Sequence, residues 1–485
     1  MVSPIARFIL VFFFLFTGNA KAQPTAGFTQ QLDPVKARED ILLLKSILEE
    51  ANTTLYYYAS KKKVDKAFTK ALAGMKDSVT YNGFIAAVSS IMHTISCGHS
   101  GWDHSAAYKE YRAKNEKFLP FDVLIISGRY YLVRDYSLEQ TIPQFAEITS
   151  INGQAVRTLT KRLTPHMYSD GYANTGSSTE IAANLRMAYS NFIAKPGSFK
   201  ITYKPKPNSL YRIEELRALS LPEIDSIRKT RYGADEGLRV PLRINIIDSI
   251  GAAVFTAKTF SNQHIQNANR DFISFTDSAF SVLQSKGLKN LVIDLRGNRG
   301  GWTANGKYLF SHFIDTPTPY IKRVYTQKYK DYSFAPLITE EAGYLDTMKL
   351  EPNKEGFYEW TNNPNLIAIP AHRYQGSVYI LMDAFTRSAA SVFCALMKEH
   401  TNALFIGEET SASQSGTNGM VNYIKLPYTG VPYHFSTARY DFNISKPKNH
   451  KGIIPDFEVQ PDWESVSTND DKVMQATMKL ITTGH

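Results

Sequence analysis

Residues 377–393 read SVYILMDAFTRSAASVF, an apolar run, a polar turn and the beginning of a helical pattern that continues to His400. A strand that turns sharply into a helix lifts the residue at the turn clear of the sheet. The turn also directs the unpaired amides of the first helical turn at whatever that residue attacks. Ser388 occupies the turn and is a candidate nucleophile, although on local chemistry alone a serine at a helix start is more often an N-cap.

A second apolar run, residues 291–294, is of the continuous type found in buried parallel strands. It leads into the glycine-rich turn LRGNRGG, residues 295–301. This turn lacks both the G-x-G-x-x-G spacing and the Lys-Ser/Thr pair of phosphate-binding loops. It is either a structural loop or a turn in which Gly300 and Gly301 present bare amides, as an oxyanion hole requires.

The chain divides by pattern into successive segments. Residues 23–112 show helical periodicity that begins at the N-cap and proline of Asp33-Pro34. Residues 113–239 begin with hairpin patterns and a turn at Asn152-Gly153, and end in a polar stretch that we expect to be a linker. Residues 240–485 alternate strands and helices, which predicts an α/β architecture.

Residues 1–22 are typical of an export signal: Arg7, an apolar run and the small-x-small pattern ending at Ala22. We therefore expect a periplasmic or extracellular protein after cleavage. No later apolar run is long enough to predict a membrane span. The net charge of +10 is scattered rather than clustered, which argues against a nucleic-acid partner.

No metal-binding spacing and no cofactor motif is present in the sequence. The chain has two cysteines, Cys97 and Cys394. They are either free buried thiols or a disulfide; the second requires that the regions around His99 and Ser388 meet.

Four short motifs occur in a fixed order: IDLRGNRGG (293–301), TRSAASVF (386–393), IGEET (406–410) and GIIPD (452–456). Together with INGQ at 151–154 they resemble the C-terminal processing (tail-specific) proteases and the related tricorn core protease. This resemblance implies a crotonase/ClpP-like core with a parallel-rich sheet at 240–485. It also implies a PDZ-like β-rich domain at 113–239, with the helical domain in front of it.

The resemblance implies that Ser388 is the nucleophile and that the amides of Ala389 and of Gly300 or Gly301 form the oxyanion hole. The processing proteases place a lysine base where this chain has Ser413, so a lysine dyad is excluded. The tricorn-like branch instead takes a histidine from an N-terminal loop. The loop CGHS, residues 97–100, keeps the Gly-His pair and makes His99 the candidate base.

The third catalytic group is a departure from the family pattern. Asn449 stands where the family has a glutamate. An amide oxygen can accept the Nδ1–H of the histidine, but it supplies no charge for the imidazolium. Four other residues remain alternatives for this role: Glu408, Glu409, Asp441 and His450.

These observations predict an exported, cofactor-free serine endopeptidase. It would act on polypeptides, including C-terminal tails captured by strand addition to the PDZ-like domain. A catalytically inactive relative that binds peptides or apolar ligands is the alternative, because the lysine and the glutamate are both missing. A weaker alternative is acyl transfer or hydrolysis on small esters.

Overall fold

A computed structural model describes residues 31–167, 170–173, 175–233, 239–340, 348–362, 366–370, 372–445 and 450–484. The expected signal peptide lies outside these ranges. The described chain is a mixture of helices and sheets, so the predicted mixed class is confirmed. None of its described helices combines the length and apolar character needed to cross a bilayer.

Helices dominate the N-terminal region. Asp33 caps the first of them by accepting a hydrogen bond from the Val35 amide at 2.8 Å, with Pro34 at the first helical position. The helix that begins at Lys61 ends at Ala73, and Gly74 follows as its C-cap. The elements are α1 (Pro34–Ala51), α2 (Lys61–Ala73), α3 (Tyr81–Ile95) and α4 (Ala106–Asn115), with strands β1 (Gln31–Leu32), β2 (Val79–Thr80) and β3 (Gly101–Trp102).

An antiparallel sheet follows. Its strands are β4 (Phe121–Ile126), β5 (Arg129–Asp135), β6 (Glu147–Ile151), β7 (Gln154–Ala155), β8 (Ser198–Lys204) and β9 (Arg212–Arg217), in the order β4-β5-β6-β8-β9 with β7 paired to β6. Its helices are α5 (Val156–Leu163), a 3-10 turn (Thr164–His166), α6 (Gly176–Phe192) and α7 (Leu221–Tyr232). Asn152 and Gly153 both have positive φ, as the predicted turn requires.

The linker expected in the polar stretch before Arg239 is wrong in part. Strand β9 and helix α7 lie there. Most residues of β9 are exposed because it is an edge strand, so its sequence lacks an apolar alternation. The domain boundaries at 112 and 239 stay predictions.

The remaining chain forms a predominantly parallel sheet, a second antiparallel sheet and the helices around them. The elements in chain order are β10 (Leu242–Ile247), a 3-10 turn (Asp248–Ile250), β11 (Ala252–Ala257), α8 (Asn262–Asn267), α9 (Phe272–Ser285), β12 (Asn290–Asp294), α10 (Thr303–Ser311), β13 (Thr318–Pro319), β14 (Ile321–Thr326), a 3-10 turn (Ala335–Leu337), β15 (Ile338–Glu340), β16 (Leu350–Pro352), β17 (Tyr358–Trp360), β18 (Leu366–Ile367), β19 (Ser377–Met382), α11 (Ala389–His400), β20 (Leu404–Gly407), β21 (Gly416–Lys425), β22 (Pro432–Phe442), β23 (Phe457–Glu458), α12 (Trp463–Thr468) and α13 (Lys472–Thr483).

The parallel sheet has the strand order β10-β11-β12-β19-β20-β23, and only the β10–β11 pair is antiparallel. Strands β12 and β19 are neighbours in register, with Asp294 opposite Leu381. The glycine-rich turn and the Ser388 turn therefore leave the sheet side by side at its carboxyl edge. This edge is where α/β folds place their ligands.

The second sheet joins the N-terminal region to the rest. The long hairpin of β21 and β22, which the sequence analysis did not identify, forms its centre. Strand β3 pairs with β22, placing Gly101 opposite His434 and Trp102 opposite Tyr433. A continuous apolar core also runs from Ile41 and Phe84 to Tyr433. These contacts fix the position of the loop that carries His99.

Candidate active site

Ser388 stands at a strained turn between β19 and α11. Its φ of 53° and ψ of −129° lie outside the regions that ordinary residues occupy. The turn is held by Asp383, whose carboxylate accepts the Gly297 amide at 3.0 Å and the Phe385 amide at 2.9 Å. Ser388 occupies the N-cap position that local chemistry favoured, but its side chain makes no cap bond to the helix, so its hydroxyl is not used for capping.

The glycine-rich turn lies directly against Ser388. A Cβ built on Gly300 would stand 2.7 Å from the Cβ of Ser388 and 2.9 Å from the Ala389 nitrogen. Gly300 also has a φ of +92°, so only glycine meets both demands. The turn keeps its shape through the buried Asn298, whose Nδ2 donates to the Ala257 carbonyl at 2.9 Å.

The amides at this junction differ in their partners. The Gly300 N–H donates to Asn298 Oδ1 at 2.9 Å, and is therefore occupied. Among the described residues, no hydrogen bond is made by the amides of Gly301 and Ala389. Ala389 is the first residue of α11, where backbone N–H groups lack helical acceptors. Two free donors beside a half-buried serine hydroxyl are what an oxyanion requires.

The structure brings His99 to Ser388. Its Nε2 lies 3.3 Å from the Ser388 Oγ, across 289 residues of sequence. The His99 loop is fastened at both ends: strand β3 pairs with β22, and the Ser96 carbonyl accepts the Gly171 amide at 3.0 Å. Cys97 anchors its centre, because Asn418 Nδ2 and Ser100 Oγ each donate to its sulfur at 3.3 Å.

The surroundings of His99 keep it neutral. Desolvation lowers the pKa of the imidazole to about 4, and the nearby charges of Arg387 and Arg439 add to this effect. The ring is therefore an unprotonated base at neutral pH. Its Nδ1 is buried and has no hydrogen-bond partner among the described residues.

The third group predicted from the sequence, Asn449, stays a prediction. Asn449 lies outside the described residues. The alternatives have other partners: Glu409 Oε1 accepts the Gly452 amide at 2.9 Å, Asp441 binds Arg323 and Arg439, and His450 Nδ1 lies 3.0 Å from Ser415 Oγ. Glu408 has no bond to Nδ1 either, and desolvation raises the pKa of its carboxyl to about 7.

The charged groups around Ser388 and His99 were not predicted from the sequence. Arg387, which precedes the candidate nucleophile, donates to Glu180 Oε1 at 2.8 Å. Glu180 belongs to α6, more than two hundred positions away in the chain, so no local pattern indicates the contact. Asp383 and Thr386 have a detectable signal, because an Asp-x-x-Thr pair after a strand is typical of a turn bound to its own amides.

The two cysteines are both buried and free, so the structure contains no Cys97–Cys394 disulfide. Within the described ranges, no cluster of three or more histidine, cysteine, aspartate or glutamate side chains is arranged to hold a metal ion.

A strained serine, a neutral imidazole and free helix-start amides at the carboxyl edge of a parallel sheet are the groups that the class of serine-type peptidases uses. Comparison with known proteins agrees with this class. Residues 257–459 match the family model described as peptidase family S41. The resemblance stated from the motifs is thereby confirmed.

Among curated proteins, the chain is similar to a carboxyl-terminal-processing protease of Picosynechococcus sp.. The two are 22% identical over 265 residues, which is 54% of this chain and 53% of that protein. The chain thus spans about half the length of this curated relative.

Among solved structures, mature CPAF is similar to the chain at 15% identity with a TM-score of 0.65, covering 93% of this chain and 98% of that one. Mature CPAF complexed with lactacystin gives a TM-score of 0.64 at 15% identity over 93% and 99% of the two chains. At this level of identity the likeness is one of fold.

Proposed function

We propose that this chain is an exported serine endopeptidase that cleaves polypeptides through an acyl-enzyme. The observation that supports it most directly is the 3.3 Å contact between Ser388 Oγ and His99 Nε2. This distance is within the slightly loose range expected of a nucleophile and its base without substrate. The contact joins Ser388 and His99, two residues that were proposed separately from the sequence.

In the proposed mechanism, His99 Nε2 accepts the Ser388 hydroxyl proton as the oxygen attacks the scissile carbonyl. The carbonyl oxygen becomes an oxyanion held by the Ala389 and Gly301 amides, neither of which has another partner in the part of the chain that the structure describes. His99 then returns the proton to the leaving amine. Water repeats the sequence to release the acyl group, with His99 again taking and returning a proton.

Asn449 is proposed as the acceptor of the His99 Nδ1–H. It precedes His450, whose carbonyl accepts the Tyr172 amide at 2.8 Å, while the neighbouring Gly171 amide donates to the Ser96 carbonyl. An amide there fixes the tautomer without stabilising the imidazolium. Replacing a triad carboxylate by an amide lowers kcat by about 10⁴-fold in well-studied triads, so we expect a slow peptidase.

The substrate is proposed to be a polypeptide tail. Strand β4 is an edge strand of the antiparallel sheet, and α6 packs beside it. A peptide that adds as a further strand to such an edge is held by main-chain hydrogen bonds. This arrangement supports the PDZ-like assignment of residues 113–239 and tail capture from it.

The decisive experiment is the Ser388→Ala variant. We expect wild-type protein to react with a fluorophosphonate probe and to cleave an unfolded polypeptide, and the variant to do neither while retaining its thermal unfolding midpoint. Equal cleavage by the two proteins would eliminate Ser388 as the nucleophile.

One observation favours the inactive peptide-binding alternative. Two arginines contribute to lowering the pKa of His99, and its Nδ1 has no carboxylate partner, so the imidazolium formed during catalysis is poorly stabilised. Under this alternative the wild-type protein binds polypeptide as tightly as Ser388→Ala does and does not react with the probe.

A further inference from the structure

A cavity of about 420 Å³ lies between the His99 loop and helix α6. Its walls include the loop residues on both sides of His99, from Cys97 to Gly101. The volume falls in the range of roughly 300–1,000 Å³ that is typical of ligand pockets. No step of the proposed mechanism uses this cavity.

The cavity is also connected to the nucleophile. Glu180 lines it and accepts a hydrogen bond from Arg387 Nη1 at 2.8 Å. Arg387 immediately precedes Ser388 in the chain. His99 is therefore adjacent in the chain to residues of the cavity wall, and Ser388 is adjacent to Arg387, which binds the wall residue Glu180.

The lining is mixed, and its apolar part is adaptable. The apolar part consists of three methionines, two aromatic residues and an alanine: Met92, Met167, Met187, Trp102, Phe192 and Ala188. Methionine side chains adjust to partners of different shape. Unlike a rigid slot for one residue type, such a lining accepts both aromatic and long aliphatic groups.

The polar groups of the lining carry little net charge. Glu180 is the one carboxylate among the described lining residues, and it is paired with Arg387. The three imidazoles, those of His93, His166 and His434, have pKa values that desolvation lowers, so they are neutral at pH 7. A charged substrate side chain would lose its hydration there without gaining a partner.

We propose that this cavity is the specificity subsite of the peptidase and receives a large apolar side chain of the substrate next to the scissile bond. The assignment rests on the proposed function, because it takes the polypeptide across Ser388. Phenylalanine, leucine and methionine are the side chains it fits. Alanine leaves the space unfilled, and lysine or aspartate is disfavoured by desolvation.

The test compares two peptides that differ only in phenylalanine or alanine at one position beside the cleaved bond. Ala188→Leu narrows the cavity from α6, where the alanine is buried at 3% exposure. Ala183→Leu is the matched control, because Ala183 lies on the same helix, is exposed and does not line the cavity.

We expect the wild type to prefer the phenylalanine peptide by about ten-fold or more in kcat/KM, as a filled apolar pocket gives. Ala188→Leu should abolish most of this preference, while Ala183→Leu keeps it. The rate of fluorophosphonate labelling, which does not use the cavity, should stay within about two-fold in both variants. An unchanged preference in Ala188→Leu overturns the proposal.

Two further measurements keep the result decisive. If circular dichroism shows that Ala188→Leu is misfolded, Asn184→Leu narrows the cavity from its exposed rim instead. Binding of the two peptides to Ser388→Ala protein, followed by fluorescence anisotropy, separates the subsite from catalysis. If the phenylalanine peptide binds selectively but the wild type is not labelled by the fluorophosphonate, the proposed peptidase activity is refuted and the proposed binding subsite is retained. If the wild type is labelled but shows no preference between the two peptides, the proposed subsite alone is refuted.

Discussion

The close approach of Gly300 to Ser388 makes a prediction that the structure quantifies. In Gly300→Ala, the new methyl carbon would lie 2.7 Å from the Ser388 Cβ and 2.9 Å from both the Ala389 nitrogen and the Arg387 carbonyl oxygen. Ordinary contact begins near 3.4 Å, so the serine or the glycine turn must shift by several tenths of an ångström. The positive φ adds a backbone cost of about 1–2 kcal/mol.

A displacement of this size affects both the attacking oxygen and the amides beside it. Misplacing reacting groups by about 1 Å costs on the order of 10²-fold in rate, and losing one oxyanion donor costs about 10²–10³-fold. We therefore expect Gly300→Ala to lower kcat/KM by at least about 10²-fold, equivalent to about 2.7 kcal/mol of transition-state stabilisation.

Gly297→Ala provides the matched control. Gly297 stands in the same turn with a φ of +79°, but a Cβ there meets no atom within 4 Å. It carries the backbone cost without the clash. Gly297→Ala should lose about 1–2 kcal/mol of unfolding free energy, measured by urea denaturation, and Gly300→Ala at least as much, while only Gly300→Ala loses fluorophosphonate labelling and peptide cleavage. Similar activity in the two variants would refute the role assigned to this contact.

Three further predictions test the base and its surroundings. Because the pKa of His99 is lowered to about 4, the rate of fluorophosphonate labelling should stay constant from neutral pH to about pH 5 and decline at lower pH, with a midpoint near 4. A midpoint above about pH 6 contradicts a desolvated base. Because the pKa of His99 is lowered in the folded protein, the unfolded chain binds more protons than the folded chain between pH 4 and 6.5, and the free energy of unfolding falls on acidification. Circular dichroism must therefore verify at each pH that the protein is folded. If residue 449 accepts the His99 Nδ1–H, Asn449→Asp should raise the pKa of His99 and increase kcat by about 10-fold or more, up to about 10⁴-fold. If neither the pKa of His99 nor kcat changes, residue 449 does not belong to the catalytic site. Asn298→Ala deletes the bonds to Gly300 and Ala257 and should lower the unfolding free energy by about 1–3 kcal/mol together with the labelling rate, whereas full activity in this variant means that the turn holds its shape without the amide.

The charges around His99 bear on whether this site is catalytically active or inactive. A carboxylate partner stabilises the imidazolium that forms as the serine attacks. Here the neighbouring formal charges that act on the ring are those of Arg387 and Arg439, and Arg439 is itself paired with Asp441. The arrangement favours a ready neutral base over a well-stabilised imidazolium, which is why a slow reaction is expected.

Local features of the fold were predictable from short stretches of sequence. The strand, turn and helix around Ser388 follow from an apolar run, a polar turn and helical spacing within about two dozen residues. The start of α1 follows from Asp33 and Pro34, whose effects act on the first helical turn. The α7 helix was missed because its sequence is mainly polar and only Ile224 is buried.

The sequence by itself determined which chemical groups were available: a serine at a strand-to-helix turn, glycines that tolerate positive φ, and a histidine in a Gly-His loop. Such signals depend on backbone dihedrals and on neighbours a few residues away, so they can be read without a structure. Tertiary structure alone decided that His99 meets Ser388, because that contact depends on β3 joining β22 and on the register that sets Gly101 opposite His434. It also decided how the glycine-rich turn is held, since Asn298 Nδ2 donates to the Ala257 carbonyl and the Gly297 amide donates to Asp383, residues that lie 41 and 86 positions away in the chain. Pairings of this kind depend on packing and register over hundreds of residues, and short-range sequence patterns do not encode them.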